Sequence, residues 1–216
     1  MKGSVFKSTG SWYGVETEAG DIFQCRLRGK FKQDGLKVNN PIAVGDYVII
    51  DEASEEKGSA VVTDILPREN YIIRKSTRKT GFSHILASNI DQAAVIATIT
   101  FPRTSQGFID RFLVSAESFR IPAKVLINKK DLYKPKDIEK AEELMQLYNG
   151  LGYECLLISA QDEKDIDLIR QLFKGKTTLL SGHSGVGKST LMNALSPNLG
   201  LKTGEVSTFA NKGDRK

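Results

Sequence analysis

The sequence predicts two architectures in tandem: a small five-stranded β-barrel, then a parallel α/β sheet with helices on both faces. Three observations carry that reading. In the first third, short runs rich in β-branched and aromatic residues are broken by turn residues. From Ile85 onward, apolar strands alternate with amphipathic helical stretches, the pattern of a doubly wound sheet. Finally, Gly182–Ser189 fits G-x-x-x-x-G-K-[ST], with an apolar run before it and a helical one after it.

The barrel strands are expected at 5–16, 22–29, 46–51, 60–66 and 71–74. Turn chemistry separates them, at Ala19-Gly20-Asp21, Asp34-Gly35, Asn39-Asn40-Pro41 and Lys57-Gly58. Phe23, Cys25 and Leu27 alternate with Gln24, Arg26 and Arg28, implying one packed and one wet face. Five short strands in this length suit an OB-fold, and an SH3-like barrel satisfies the same periodicity. Residues 75–84 mix Ser, Thr and Gly with basic side chains and lack an apolar period, so a basic hinge is expected there. It divides a barrel of residues 1–74 from an α/β domain of residues 85–216. In that domain the strands are expected at 93–99, 124–127, 154–158 and 177–180, and the helices at 108–119, 138–148, 164–173 and from 191. The run 93–99 is apolar throughout, as for a strand covered on both faces.

The 216 residues are 40% hydrophobic and 26% charged, with a net charge of +5. No apolar run approaches the ~18 residues that a membrane span needs, so no membrane partner is expected. Cys25 and Cys155 lie far apart in strand-like runs, reading as two buried free thiols in a reducing cytoplasm. The positive charge concentrates in Arg68, Arg74, Lys75, Arg78 and Lys79. With Lys30 and Lys32, the residues Arg74, Lys75, Arg78 and Lys79 are candidates for RNA phosphate contacts, and Trp12, Tyr13, Phe23 and Phe31 for base stacking.

The segment Gly182-His183-Ser184-Gly185-Val186-Gly187-Lys188-Ser189-Thr190 has the chemistry of a phosphate cradle. Its glycines let backbone N–H groups point inward at the positive end of a helix. Lys188 is placed to reach the β- and γ-phosphates, and the Ser189 hydroxyl to complete a Mg²⁺ shell. His183 reads as a filler of the loop. Such a cradle is blind to the base. Asn128-Lys129-Lys130-Asp131 follows the strand ending at Ile127, where α/β sheets place ligand loops. It resembles the N-K-x-D motif of translation-factor and Ras-like GTPases. A carboxylate at Asp131 can accept both the N1–H and N2–H₂ of guanine, Asn128 can donate on the N7 side, and the Lys129 stem can cover the ring. Ser159-Ala160, after the next strand, resembles the S-A pair that supports the guanine pocket with a backbone N–H.

In those GTPases the phosphate loop comes first. Here it comes last, the order of a circularly permuted GTPase. With a barrel in front, the chain resembles the ribosome small-subunit-dependent GTPase A family of bacteria. The resemblance rests on the motif order, on Ala87–Asp91 and Ile109–Val114, and on Val125–Leu132, Gly182–Leu195 and Leu201–Ser207. It implies an OB-fold, binding of GTP, GDP and Mg²⁺, and hydrolysis of GTP stimulated by the small ribosomal subunit during maturation of that subunit. The small subunit and its rRNA are the implied partners. A cytoplasmic monomer is expected.

The family continues into a switch, a D-x-x-G motif and a C-terminal zinc domain, none of which these residues contain. The α/β domain is therefore expected to be C-terminally incomplete, with nucleotide binding and poor turnover from these residues alone. No catalytic residue can be named. Two alternatives stand beside the GTPase: a GTP-gated rRNA-binding module with incidental turnover, and an ATP-using P-loop kinase with a chance N-K-K-D.

Overall fold

A computed structural model describes residues 1–27, 41–52, 58–75 and 83–196, with backbone alone at 74, 75, 83 and 84. They fall into two compact units, Met1–Ile90 and a second beginning at Asp91.

In the first unit, β1 (Lys2–Thr9), β2 (Trp12–Thr17), β3 (Ile22–Leu27), β4 (Tyr47–Glu52) and β5 (Ser59–Ile65) close a barrel in the order β1-β2-β3-β5-β4. The strands pair antiparallel except β3 with β5, and β4 returns to β1. That order is the OB arrangement and sets the SH3-like alternative aside. Two strand assignments change. The run 5–16 is two strands, because Thr9 pairs with Trp12 across the turn at Gly10-Ser11. The run 71–74 leaves the barrel: β6 (Tyr71–Lys75) pairs antiparallel with β7 (Ser83–Ser88) in a separate ribbon.

This pairing corrects the expected hinge at both ends, since Lys75, Ser83 and His84 lie in strands; residues 76–82 are outside the described set. It also carries the first unit past residue 84. Asn70 accepts from the Ile90 amide at 2.7 Å and donates to the Ile90 carbonyl at 2.8 Å, and Asn89 accepts from the Glu69 amide at 2.9 Å.

Val5, Tyr13, Val15, Phe23, Cys25, Val48, Ile50 and Val62 fill the barrel. Tyr13 and Phe23 are thus core residues, and neither offers a ring to RNA. Arg68 is also spoken for. The buried Asp46 carboxylate accepts Arg68 Nε at 2.6 Å and Nη2 at 2.5 Å, the Ser88 hydroxyl at 2.5 Å and the Ala43 amide at 2.9 Å. A buried carboxylate survives desolvation only with such a complete set of donors. It removes Arg68 from the basic cluster.

The second unit has a parallel sheet in the order β10-β9-β8-β11, from β8 (Gln92–Ala97), β9 (Ala123–Ile127), β10 (Glu154–Leu157) and β11 (Thr178–Ser181). The helices are α1 (Gln106–Ser118), α2 (Pro135–Gly150), α3 (Glu163–Phe173) and α4 (Lys188–Leu195). Every residue of β8 is buried, and alternate side chains serve opposite faces. Ala94 and Ile96 join α3 and α4 through Ile166, Ile169 and Leu191. Val95 and Ala97 join α1 and α2 through Ile109, Leu113, Ala141 and Tyr148. All four strands point the same way, so the loops that leave them gather along one edge.

Candidate functional site

Three of those loops meet. Asn128 leaves β9, its amide donating to the Ala97 carbonyl at 2.8 Å. Its side chain is only 1% exposed and uses both ends within the protein. Asn128 Nδ2 donates to the Val186 carbonyl at 2.9 Å, and Oδ1 accepts the Ala160 amide at 3.0 Å. One side chain thereby joins the N-K-K-D loop, the Ser-Ala loop and the phosphate loop. This changes two expectations. Asn128 is a brace as well as a possible donor to a purine, and the Ala160 N–H is already engaged by a neighbouring side chain.

Asp131 sits in a 3₁₀ turn (Lys130–Leu132) and is exposed, with one carboxylate oxygen accepting the Ser159 hydroxyl at 2.5 Å. The Ser159 amide donates to Asp165 at 2.7 Å, and Lys130 reaches Asp165 at 2.6 Å and Asp162 at 3.2 Å at the start of α3. Lys130, the variable residue of N-K-x-D, therefore fastens the base loop to α3. Its ammonium also holds the Asp162 carboxyl below the usual carboxylate range. Lys129 takes a left-handed backbone conformation, φ 72°, and its ammonium donates to the Phe101 carbonyl at 2.7 Å. Burial lowers its pKa, partly opposed by the charge on Asp131.

The phosphate loop runs from β11 into α4. Two of its glycines are dictated by close approach. A Cβ on Gly182 (φ 154°) would stand 2.6 Å from the Ile96 carbonyl oxygen, and one on Gly187 (φ 95°) would stand 2.4 Å from Asn128 Nδ2. Both positions need glycine. Lys188 curls back over the loop and donates to the Gly182 and His183 carbonyls at 2.7 and 2.6 Å. Burial depresses its pKa below that of an ordinary lysine. The exposed His183 lays its ring on Phe108 of α1, with centroids 4.0 Å apart. That packing agrees with a filler of the loop. Ser184, Gly185 and Thr190 line the same loop and first helical turn. Ser189 stands in the first turn of α4 and its hydroxyl makes no hydrogen bond among the described residues, so it fits a Mg²⁺ ion otherwise held by phosphate and water oxygens. Among the described residues no cluster of three His, Cys, Asp or Glu could hold a metal by itself.

The loop leaving β8 carries no nucleotide motif, yet it borders the site. The Thr98 amide and carbonyl bond the Thr104 hydroxyl and amide at 3.0 and 2.9 Å, and the Thr98 hydroxyl donates to the Pro102 carbonyl. Tyr133 binds it to the base loop, donating to the Asn128 carbonyl at 2.5 Å and accepting the Ile99 amide at 2.8 Å. The usable signal was its place, at the carboxyl end of a buried central strand. Of the basic candidates, Lys30, Lys32, Arg78 and Lys79 lie outside the described residues, as does Phe31, and at Arg74 and Lys75 only the backbone is described.

A family model described as RsgA GTPase matches residues 65–215, and one described as the RsgA N-terminal domain matches residues 2–60. The chain belongs to the RsgA GTPase family. Curated RsgA relatives named small ribosomal subunit biogenesis GTPase include those of Bacteroides fragilis, 48% identical, and Phocaeicola vulgatus, 49% identical. Each aligns with 99% of this chain, which spans 68% of their length. Among solved structures, YjeQ from Thermotoga maritima superposes with a TM-score of 0.73 at 37% identity, over 93% of this chain and 66% of that one. YloQ, described as a circularly permuted GTPase, gives 0.66 at 31% identity, over 92% and 65%. The late position of the phosphate loop in this chain agrees with the circular permutation described for YloQ, and the family is one of GTPases, which sets the kinase alternative aside.

Proposed function

We propose that this chain binds GTP and GDP and hydrolyses GTP in the service of small ribosomal subunit biogenesis, as a monomer in the cytoplasm. Asp131 reads guanine with the Lys129 stem against the ring, Asn128, Ser159 and Ala160 brace that pocket through their own hydrogen bonds, and residues Gly182 to Thr190 hold the phosphates. The observation that carries this reading is the Asn128 side chain, which locks the base-reading and phosphate loops into one site. Asp131 keeps one oxygen on Ser159 and is exposed, so its carboxylate can accept guanine N–H groups that adenine lacks. Lys188 exchanges its two loop carbonyls for phosphate oxygens. Mg²⁺, held by Ser189 and the phosphates, would neutralise charge developing on the transferred phosphoryl group. Zinc, which the resemblance implies for the family's C-terminal domain, has no place in this reading of the chain: Cys25 and Cys155 are each buried in a separate core, where burial raises their thiols.

The barrel supports an rRNA partner. Its outer surface carries Trp12, 39% exposed beneath the Arg26 guanidinium at 3.9 Å, and Phe6, 45% exposed. Exposed rings beside a cation make a stacking platform for unpaired bases. Phosphate contacts are assigned to Arg74, Lys75, Arg78, Lys79, Lys30 and Lys32. Reversing charge at Arg74, Lys75, Arg78 and Lys79 should weaken subunit binding and flatten its salt dependence; unchanged binding would discard this assignment. The central test is GTP turnover by the full-length protein with and without purified small subunits. Stimulation supports the GTPase reading, and its absence alongside tight GTP binding favours a GTP-gated rRNA-binding module.

A further inference from the structure

Residues 98–104 carry none of the motifs that define the nucleotide site, yet they touch its parts. The Phe101 carbonyl takes the Lys129 ammonium at 2.7 Å. Tyr133 bonds the Ile99 amide on one side and the Asn128 carbonyl on the other. Pro102 stands 3.3 Å from the point where a Cβ on Gly185 would lie, so the turn also lies beside the phosphate loop. The turn is itself closed by Thr98 and Thr104. The two ends of the Lys129–Phe101 hydrogen bond share a rare feature: both residues have positive φ, 72° and 54°. Bulky residues rarely adopt that conformation, and it persists where surrounding contacts over-determine it.

We propose that the 98–104 turn is a positioning element for guanine: the Phe101 carbonyl anchors the Lys129 ammonium, and Tyr133 fixes the distance between the turn and the base loop. A lysine stem has four rotatable bonds, and ordering it at the moment of binding would weaken affinity. Anchored at its tip, the stem is already a wall when the base arrives. The Lys129 Cε lies 3.9 Å from the Cβ point of Gly187, so the stem crosses directly beside the phosphate loop. Burial pushes the Tyr133 phenol up to about 12, which keeps it protonated and donating throughout the working pH range.

The inference rests on the guanine-nucleotide reading, and the test separates the two. Binding of GDP, ADP and inorganic pyrophosphate is measured by calorimetry on the full chain and on Lys129→Met, Lys129→Ala and Tyr133→Phe. If the unaltered protein does not prefer GDP to ADP, the guanine reading falls, and this inference with it. Given that preference, Lys129→Met keeps an apolar stem and loses only the anchor. It is expected to lose GDP affinity as fully as Lys129→Ala, about tenfold, with ADP unmoved. Tyr133→Phe is expected to lose GDP affinity several-fold while pyrophosphate binding stays unchanged. Lys129→Met binding GDP like the unaltered protein would overturn the anchor. An equal fall for GDP and pyrophosphate in Tyr133→Phe would overturn the positioning role, since a merely structural defect harms both ligands alike.

Discussion

The base-reading corner and the phosphate loop are neighbours built on opposite plans. The corner is cross-braced by side chains: Asn128 to Val186 and Ala160, Ser159 to Asp131, and Lys130 to Asp165. The phosphate loop is shaped by glycines, and its one cation rests on the loop's own carbonyls. The first region is organised by its own side chains, whereas the second, on the proposed reading, would exchange internal partners for phosphate. Selectivity between bases would then belong to geometry already present, and affinity would depend on charges that must be released and re-engaged.

Removing the cation should give the largest effect. Lys188→Ala is expected to lower GDP affinity at least ~100-fold, since each hydrogen bond to a charged group contributes roughly 1.5–3 kcal/mol. The Gly182 and His183 carbonyls it frees lie on a partly exposed loop where water can replace it, so thermal stability without nucleotide should fall far less than affinity, and a large loss of stability would break the contrast. Asn128→Ala is the converse. It leaves the Val186 carbonyl and Ala160 amide without their partner, at about 1–3 kcal/mol each, so the ligand-free protein should unfold several degrees lower in a melt. Asp131→Asn changes what the base edge may offer and should move the preference from guanine towards xanthine nucleotides by ~10²-fold; retained GTP preference would show that another group reads the base.

A smaller effect lies in pH. Burial depresses the Lys188 pKa, so as pH rises its protonated form is lost before an ordinary lysine would lose it. GDP affinity should fall on the alkaline side. Bound phosphate stabilises the ammonium and raises its pKa, so binding there should take up a proton. Calorimetry in two buffers of different ionisation enthalpy measures that uptake directly, and its absence would show that Lys188 is not the titrating contact.

The α/β unit was legible because its signals are local. The apolar β8 run, the helical spacing of Ile166 and Ile169, and the glycines of the phosphate loop each announce themselves within one element. The barrel's existence was legible but its membership was not. Gly10-Ser11 is a two-residue hairpin signal, with Gly10 at φ 61°, but it is easily passed over inside one long β-rich run, and nothing in Tyr71–Lys75 says whether its partner is β4 or a strand yet to come. The motif residues of the site could be read because their spacing is tied to their chemistry. Tyr133, Phe101 and the Asp46–Arg68 pair could not, because those contacts join residues distant in sequence whose types also suit a surface. Arg68 illustrates the failure best: a basic residue beside other basic residues reads as a patch until its buried partner is seen.

The hydrogen bond from Asn128 to Val186 spans 58 residues. Synthesis is vectorial and proceeds at ~5–20 residues per second, so the guanine corner leaves the ribosome seconds before the phosphate loop exists. During that interval the Asn128 carboxamide lacks its Val186 acceptor, and β8 lacks its neighbour β11. On the proposed reading, a nucleotide that needs both loops could stabilise the fold only once that long-range closure is made, and would favour chains that have brought the two loops together.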